Sequence, residues 1–483
     1  MKKVALFLCL TVLSCTLGPD YEQPTFFTQP EIEKALNLKP VPANAHLISP
    51  QDFNDPTLDL LIQKAFAHNP NIRIALTQLR QGRANLRITM AGALPSIDAK
   101  ASYNYLKESQ NVESILKEEY YQVGFDASWE IDIFGSSRRQ TEAALANVRA
   151  SVESLKNIGV SLEAEVAQYY ITYRTAQQLL KNAEENLKLQ KNIFETVQEK
   201  YNAGLADDIA LNQAKYTVET TRMQIPTLKT QKQAAANALA LLVGQLPGTL
   251  DKELQKNKKN LVADVFRFNV QTIYELPADI IRNRPDVRAA EEDLIAQNAA
   301  VGVAIADMFP KITLSGLVGF EAVHFSDVPK SKSFTYSVVP GVQMPIFQFG
   351  ALRQNVALQK AKKEEQLIAY EQSMLQAASD IQNAMTAIAQ EYVRNASAHQ
   401  AYREMREASR LTTQKYEQGL VDYSEVLDAE TRRLSAQTDM VQSNGTLYTN
   451  VITFYKAVGG GAAQKQMDLT AVSSARASTP QKR

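Results

Sequence analysis

Apolar side chains recur in alternating steps of three and four from residue 145 to residue 201. Leu145, Val148, Val152, Leu155, Leu162, Val166, Tyr169, Tyr173, Ala176, Leu180, Ala183, Leu187, Phe194, Val197 and Tyr201 lie on this seam, which only Gly159 and Gln190 interrupt. A heptad seam of this length predicts one supercoiled helix of about 60 residues, roughly 90 Å long at 1.5 Å per residue. Two stretches before it follow a period of two. Ile97, Ala99, Ala101, Tyr103 and Tyr105 alternate with Ser96, Asp98, Lys100, Ser102 and Asn104. After a polar loop at 107–119, Tyr121, Val123, Phe125, Ala127, Trp129, Ile131 and Ile133 alternate with Gln122, Gly124, Asp126, Ser128, Glu130 and Asp132. Each run predicts a strand with one apolar and one polar face, which fits a sandwich hairpin or a membrane barrel. A helix is predicted over 56–92 from Leu60, Leu61, Ala65, Ile72, Leu76, Leu79 and Leu86, and another over 208–243, kinked at Pro226.

The pattern then repeats. The turn KYNAGLADDIALNQAK at 200–215 returns as KYEQGLVDYSEVLDAE at 415–430, and the same offset of 215 carries Pro70 onto Pro285, Pro95 onto Pro310, Phe134 onto Phe349 and Gly244 onto Gly459. So long a period describes two halves of one architecture rather than a solenoid. The second half predicts a helix over 280–308, strands over 311–320 and 334–346, a long helix over 351–417 and a shorter one over 423–458. The second long helix keeps a regular seam only from Leu367 through Tyr370, Met374, Ala377, Ile381 and Ala384 to Ile388. The repeats span 56–244 and 276–459. A connector at 245–275 separates them, a proline-rich arm at 15–55, expected to be extended, precedes them, and a polar tail at 460–483 is expected to be disordered.

Charge removes one class of function. Lys and Arg together number 52, as do Asp and Glu, so no basic field is available for nucleic acid. The N-terminus adds a compartment. Lys2 and Lys3 precede an apolar run at 4–13, too short for a membrane span, and residues 1–14 have the form of a secretory signal. Val12, Leu13 and Ser14 before Cys15 resemble the bacterial lipobox, in which cleavage leaves the cysteine as the N-terminus with a diacylglycerol and an N-acyl chain; an ordinary signal with a chance cysteine is the alternative. With Cys9 removed and Cys15 acylated, no disulfide forms. Thr16 is not the aspartate associated with inner-membrane retention, which favours the outer membrane.

Four amphipathic strands cannot close a barrel, and lipid does not tolerate an open sheet edge. Membrane strands in this chain therefore require several copies to share one barrel. At this point the motifs CTLGPDYEQP at Cys15, WEIDIFGSSRR at Trp129, LPADIIRNRPDVRAAEEDL at Leu276, FPKITLSG at Phe309, MPIFQFGALR at Met344 and the two KYxxGL turns resemble, in order over 15–460, the TolC-type outer-membrane factors. The match is to their lipoprotein (NodT-like) efflux branch. The resemblance implies an α+β membrane protein, a homotrimer with a shared twelve-stranded transmembrane β-barrel continued by an α-helical coiled-coil barrel, and an equatorial belt around the connector at 245–275 and the C-terminal region. It implies an efflux duct for small molecules, serving an inner-membrane transporter through a periplasmic adaptor. A one-step protein-secretion duct is the alternative within the family, and a structural coiled-coil lipoprotein without a pore the alternative outside it.

The resemblance also implies site residues. Glu425 and Asp428, just after the second turn, form an acidic ring at the periplasmic entrance, and Tyr416 helps to tie the closed entrance by hydrogen bonding. Gly204, Leu205, Gly419 and Leu420 at the two turns contact the adaptor. Ala210 occupies the first-half counterpart of Glu425, so the ring comes from the second half alone. On one axis, like charges about 6 Å apart repel by roughly 3 kcal/mol at an effective dielectric near 20, which favours cation binding there. Otherwise, both carboxylates are first-turn residues favoured by the helix dipole. No catalytic chemistry emerges. His46, His68, His324 and His399 lie in four different segments without ligand spacing, and phosphate-loop and nucleophile motifs are absent, so neither an enzyme nor a metal or other cofactor is expected.

Overall fold

The computed structural model describes residues 16–39, 48–107, 109, 111, 117–256, 260–263, 270–277 and 279–461. The signal segment, Cys15, His46 and most of the tail lie outside these residues. Helices are α1 (Gln29–Leu36), α2 (Pro56–His68), α3 (Pro70–Gly92), α4 (Ser136–Asn202), α5 (Asp208–Leu242), α6 (Asp251–Lys256), α7 (Pro285–Ala306), α8 (Ala351–Glu417) and α9 (Tyr423–Ala457). Strands are β1 (Ser96–Lys107), β2 (Lys117–Ile131), β3 (Lys311–Ala322) and β4 (Phe334–Gln343), which form one antiparallel sheet in the order β1-β2-β3-β4. Among the described residues, no helix is long and apolar enough to cross a membrane.

Elements recur at the 215-residue spacing. The helices α4 and α8 are each 67 residues long, and α5 and α9 are each 35. The strands β1 and β3 each have 12 residues. On α8, the sequence seam is the buried one: Tyr370, Met374, Ala377, Ile381, Ala384 and Ile388 are all inaccessible to water. The α4 seam is buried from Val148 to Ala183 except at Val152 and Tyr169, and Leu145 and Tyr201 at its ends are exposed.

Four expectations are corrected. The helix predicted over 56–92 is two helices, broken at Asn69 (φ −60°, ψ 129°), because a residue before proline is driven out of the helical region. The break is built as a cap: the Asn69 Oδ1 accepts the Asn71 N–H at 2.8 Å, and its amide donates to the Leu242 carbonyl at 2.8 Å. In the second half, the helix predicted from 280 begins at Pro285, and the segment corresponding to α2 holds a 3-10 turn (Val270–Tyr274) and turns over 279–283. Pro277 in that segment lacks the donor a helix needs. The arm is not wholly extended, since a Thr28–Glu31 capping box starts α1. Finally, β4 stops at Gln343 rather than at 346. Trp129, Glu130 and Ile131, at the corresponding end of β2, are held by pairing with Leu314, Thr313 and Ile312 of β3 alone, and residues 344–346 have no such partner strand among the described residues.

The chain divides into two compact units. The first, drawn from Met1–Thr25, Thr77–Val152 and Arg288–Gln372, holds the sheet. The second, from Phe26–Leu76, Glu153–Val287 and Ser373–Arg483, holds a helical core with a buried polar interior. There the Asp55 carboxylate caps α2 and accepts the Tyr170 hydroxyl at 2.7 Å, and the same hydroxyl accepts two N–H groups of the fully buried Arg174. The Tyr455 hydroxyl donates to the buried Glu163 carboxylate at 2.7 Å. The connector is fastened by the Asn444 amide to the Val262 carbonyl and by the Tyr448 hydroxyl to the Leu261 carbonyl.

Candidate functional site

The register of the sheet aligns the apolar positions of all four strands. Across it lie Ala99, Phe125, Val318 and Tyr336; Ile97, Ala127, Gly316 and Val338; and Ala101, Val123, Phe320 and Phe334. The opposite face carries Ser96, Ser128 and Ser315 in one row, Asp98, Asp126 and Ser337 in another, and Lys100 near Asp126 at 3.8 Å; Leu106, Leu317 and Val339 are apolar residues on it. Strand periodicity explains this, because one residue of slip would turn a whole strand over. The apolar face is open: Ile97 is 71% exposed, Phe125 57%, Tyr336 73% and Val342 72%. The outer edges of β1 and β4 have no strand partner among the described residues.

The two strand-to-helix junctions differ in what covers them. After β2, the Phe134 ring packs 5.1 Å from Phe309, and the Leu17 N–H donates to the Phe134 carbonyl at 3.1 Å. A Cβ on Gly135 would lie 2.9 Å from the Thr16 Cα. Arg139, 4% exposed, secures this arm by donating to the carbonyls of Leu17 and Gly18 and to the carboxylates of Asp20 and Glu142. Thr16 and Leu17 thus lie against the turn that follows β2. At the second junction, Gly350 has nothing within 4 Å of where a Cβ would be, Phe349 is 92% exposed and Ile346 likewise 92%.

The two KYxxGL turns are alike in backbone. Gly204 and Gly419 both have φ 73°, a left-handed conformation that glycine adopts without strain. The Leu205 N–H reaches the Lys200 carbonyl at 2.8 Å, and the Leu420 N–H the Lys415 carbonyl at 2.9 Å. Both leucines stand out, 77% and 68% exposed. Behind the turns a small core joins Val197, Ala214, Tyr423 and Val426, with Ile193, Phe194, Ala210, Tyr416 and Leu427 against it. The side-chain chemistry differs: the Asp208 carboxylate near Tyr201 raises its phenol, whereas Tyr416 meets Tyr423 edge-on at 5.9 Å. Burial and the nearby Tyr416 and Glu430 push the Tyr423 phenol up to about 12.

Glu425 and Asp428 lie exposed on the first turns of α9. The Asp428 carboxylate is bridged to Arg432 at 3.0 Å, so the two carboxylates are not equivalent. Residues that the sequence reasoning missed surround Tyr416. The Lys200 ammonium lies 3.7 Å from the centre of its ring and donates to its carbonyl at 3.4 Å, joining the first turn to the second. Deeper, Glu430 accepts from Ser409 and pairs with Arg433 at 2.9 Å, and Arg433 donates to Asn186 at 3.0 Å. The Asp428–Arg432 pair was legible from its i,i+4 spacing. The lysine shared by both turns was the signal for Lys200. Among the described residues, no group of three or more His, Cys, Asp or Glu side chains is placed to hold a metal ion.

An amphipathic sheet with two free edges, paired with long helical hairpins, defines an outer-membrane channel subunit. The chain belongs to the outer membrane efflux protein family, which it matches over residues 61–245 and again over 276–460. It is similar to the cation efflux system protein CusC of Escherichia coli, 28% identical with 96% of this chain and 99% of that protein covered. It is equally similar, at 28%, to the solvent efflux pump outer membrane protein SrpC of Pseudomonas putida, with the same 96% and 99% coverage. Among solved structures, it resembles the outer-membrane channel OprN with a TM-score of 0.84, 31% identity and coverage of 93% of this chain and 100% of that one.

Proposed function

We propose that three copies of the chain form the outer-membrane duct of a tripartite efflux system. A shared twelve-stranded barrel crosses the membrane, a helical tunnel continues it on the periplasmic side, and an inner-membrane transporter supplies small molecules through a periplasmic adaptor. The observation that carries this reading is the in-register sheet: its exposed apolar face suits lipid, its polar face suits a water-filled lumen, and its unpaired edges need further copies. Cys15 carries the lipid anchor, a reading supported by the Arg139 clamp that ties Leu17 and Gly18 beside the end of β2. The exposed Leu205 and Leu420, beside Gly204 and Gly419, form the adaptor contact.

The entrance is gated at the second turn. Glu425 supplies most of the negative charge of an axial ring, because Arg432 offsets much of the charge of Asp428. Lys200 on Tyr416 holds the two turns together when the entrance is closed, and opening moves the turns apart. In planar bilayers the purified protein should conduct, and trivalent cations added on the tip side should block it. Replacing Glu425 and Asp428 by Ala together should weaken that block, with Glu425→Ala alone producing most of the loss. Wild-type block in the double variant would move the ring elsewhere. A natively helical protein that never conducts would end the duct reading.

A further inference from the structure

Where the end of α9 lies on α4, two carboxyl groups approach each other from α4 and α2. Glu163 of α4 is 1% exposed, as is Tyr455 of α9, whose hydroxyl donates to the Glu163 Oε2 at 2.7 Å. Asp59, near the start of α2, is close enough for its charge to act on Glu163. The remaining oxygens, Glu163 Oε1 and Asp59 Oδ1, are sealed from water and accept no hydrogen bond among the described residues. Two neighbouring carboxylates, each with a bare buried oxygen, are costly when both are ionised. A proton on one removes a charge and leaves an acid that still accepts the Tyr455 hydroxyl. We propose that the Glu163–Tyr455 contact is a pH-sensitive fastening between the two halves of the chain, closed while Glu163 is a neutral acid and loosened when it becomes a carboxylate.

Three observations carry this. First, cations on the packed elements are committed to other partners. Lys156, earlier on α4, pairs with Glu153 at 2.9 Å, and Lys64 of α2 pairs with Glu253. Arg284, on the Ala457 carbonyl at the end of α9, is held by Asp286 and Asp380. The contrast lies on the same helix. Tyr170 makes the same 2.7 Å bond to a carboxylate, that of Asp55, but there Arg174 donates to the hydroxyl and two backbone N–H groups of α2 meet the carboxylate. Second, the repeat does not need the fastening. The counterparts of Glu163, Tyr455 and Asp59 are Ala378, Ala240 and Tyr274, so the contact is made once per chain. Third, it sits where the second half ends against the first. Gly460, with φ 57°, turns the chain back after α9, and a Cβ on it would lie 2.7 Å from the Val160 Cγ1, one turn before Glu163. Burial lifts the Glu163 carboxyl to about 7, with the Tyr455 bond lowering it and Asp59 adding to the rise. The folded protein therefore holds the proton below that pH, and the fastening weakens as pH rises through it.

Hydrogen–deuterium exchange of the full-length protein in detergent, corrected for the intrinsic pH dependence of exchange, reads the joint. Between about pH 6 and about pH 9, protection of the amides at 451–457 should fall by roughly tenfold or more, with a midpoint near 7. Glu163→Gln, which imitates the neutral acid, should keep its protection at both ends of that range. Asp59→Asn should move the midpoint down, because it removes a repulsion, and Tyr455→Phe should move it up, because it removes the hydrogen bond that favours the carboxylate. A merely structural contact would not give opposed shifts. Protection independent of pH in the unaltered protein overturns the proposal, as does an undiminished fall in Glu163→Gln. A uniform loss over every helix overturns it too, by assigning the proton to global stability. A midpoint that moves with sodium concentration at constant ionic strength would give the two bare oxygens to a bound cation instead. Should Glu163→Gln fail to fold, the opposed shifts of Asp59→Asn and Tyr455→Phe decide the question.

Discussion

The two halves of this chain have the same skeleton and different coverings. In the first, the strand-to-helix junction lies under Thr16 and Leu17, Phe134 rests on Phe309, and α4 is buried along much of its length. In the second, Phe349 takes a positive φ of 47° with its ring in the open, and no residue of α8 before Tyr370 is buried. Equivalent roles are also given to different chemistry. The carbonyl ending α5, on Leu242, accepts from the Asn69 amide, while the carbonyl ending α9, on Ala457, accepts from the Arg284 guanidinium, itself held by Asp286 and Asp380. Duplication thus kept the plan of strands, long helices and turns, while the backbone at Phe349 and at the counterpart of α2, and the side chains that meet different neighbours, diverged.

The sharpest way to break this comparison is to charge the apolar face in each half. Phe125→Arg in the first half and Val338→Arg in the second should each lower barrel stability by about 2–4 kcal/mol if near the bilayer midplane, while Asp126→Arg on the other face should be tolerated. Urea unfolding in lipid measures all three, and an innocuous Val338→Arg would remove the second half from contact with lipid. A second test uses the buried Glu163, whose counterpart is Ala378. Burial raises its carboxyl from 4.5 to about 7, opposed by the Tyr455 hydrogen bond and reinforced by Asp59. The folded state therefore holds this proton more tightly than the unfolded chain, and stability should fall as pH rises from about 4.5 to 7, by roughly 3 kcal/mol at most. Glu163→Gln should flatten that slope; an unchanged slope would mean that other groups set it. Smaller again are the helix-end contacts. Arg284→Ala, which strands two carboxylates, should cost about 2 kcal/mol, and Asn69→Ala, which removes a cap, about 1 kcal/mol in thermal or chemical denaturation. Equal costs would show that the two chemistries are interchangeable.

Much of this architecture was legible because period carries it. The strands at Ile97 and Tyr121 alternate so strictly that their faces follow from the sequence, and the seam from Tyr370 to Ile388 is the buried line of α8. Breaks were legible only where a proline announces them: Pro70 and Pro285 start helices, and the reading that ran through them was wrong. The end of β4 was not legible, because a strand's extent depends on its partner and Met344, Pro345 and Ile346 have none in one chain. At the turns, repetition exposed Gly204 and Gly419 and placed Glu425 and Asp428. The Lys200–Tyr416 contact and the link from Arg433 to Asn186 join residues more than 200 apart in sequence, and no local pattern sets such distances.

The equal lengths of α4 and α8 have a consequence for how such a chain can change size. Deleting one residue from either helix alone would shift its turn by about 1.5 Å and rotate it by about 100°. Val197 and Tyr416, one from each helix, would then no longer meet in the same small core. Length can therefore change only as a matched pair of insertions or deletions, nearly whole heptads at the same height in both halves, with α5 and α9 following. The duplicated helices act as a mutual gauge, and a library of single-helix deletions should recover folded protein only from paired seven-residue steps.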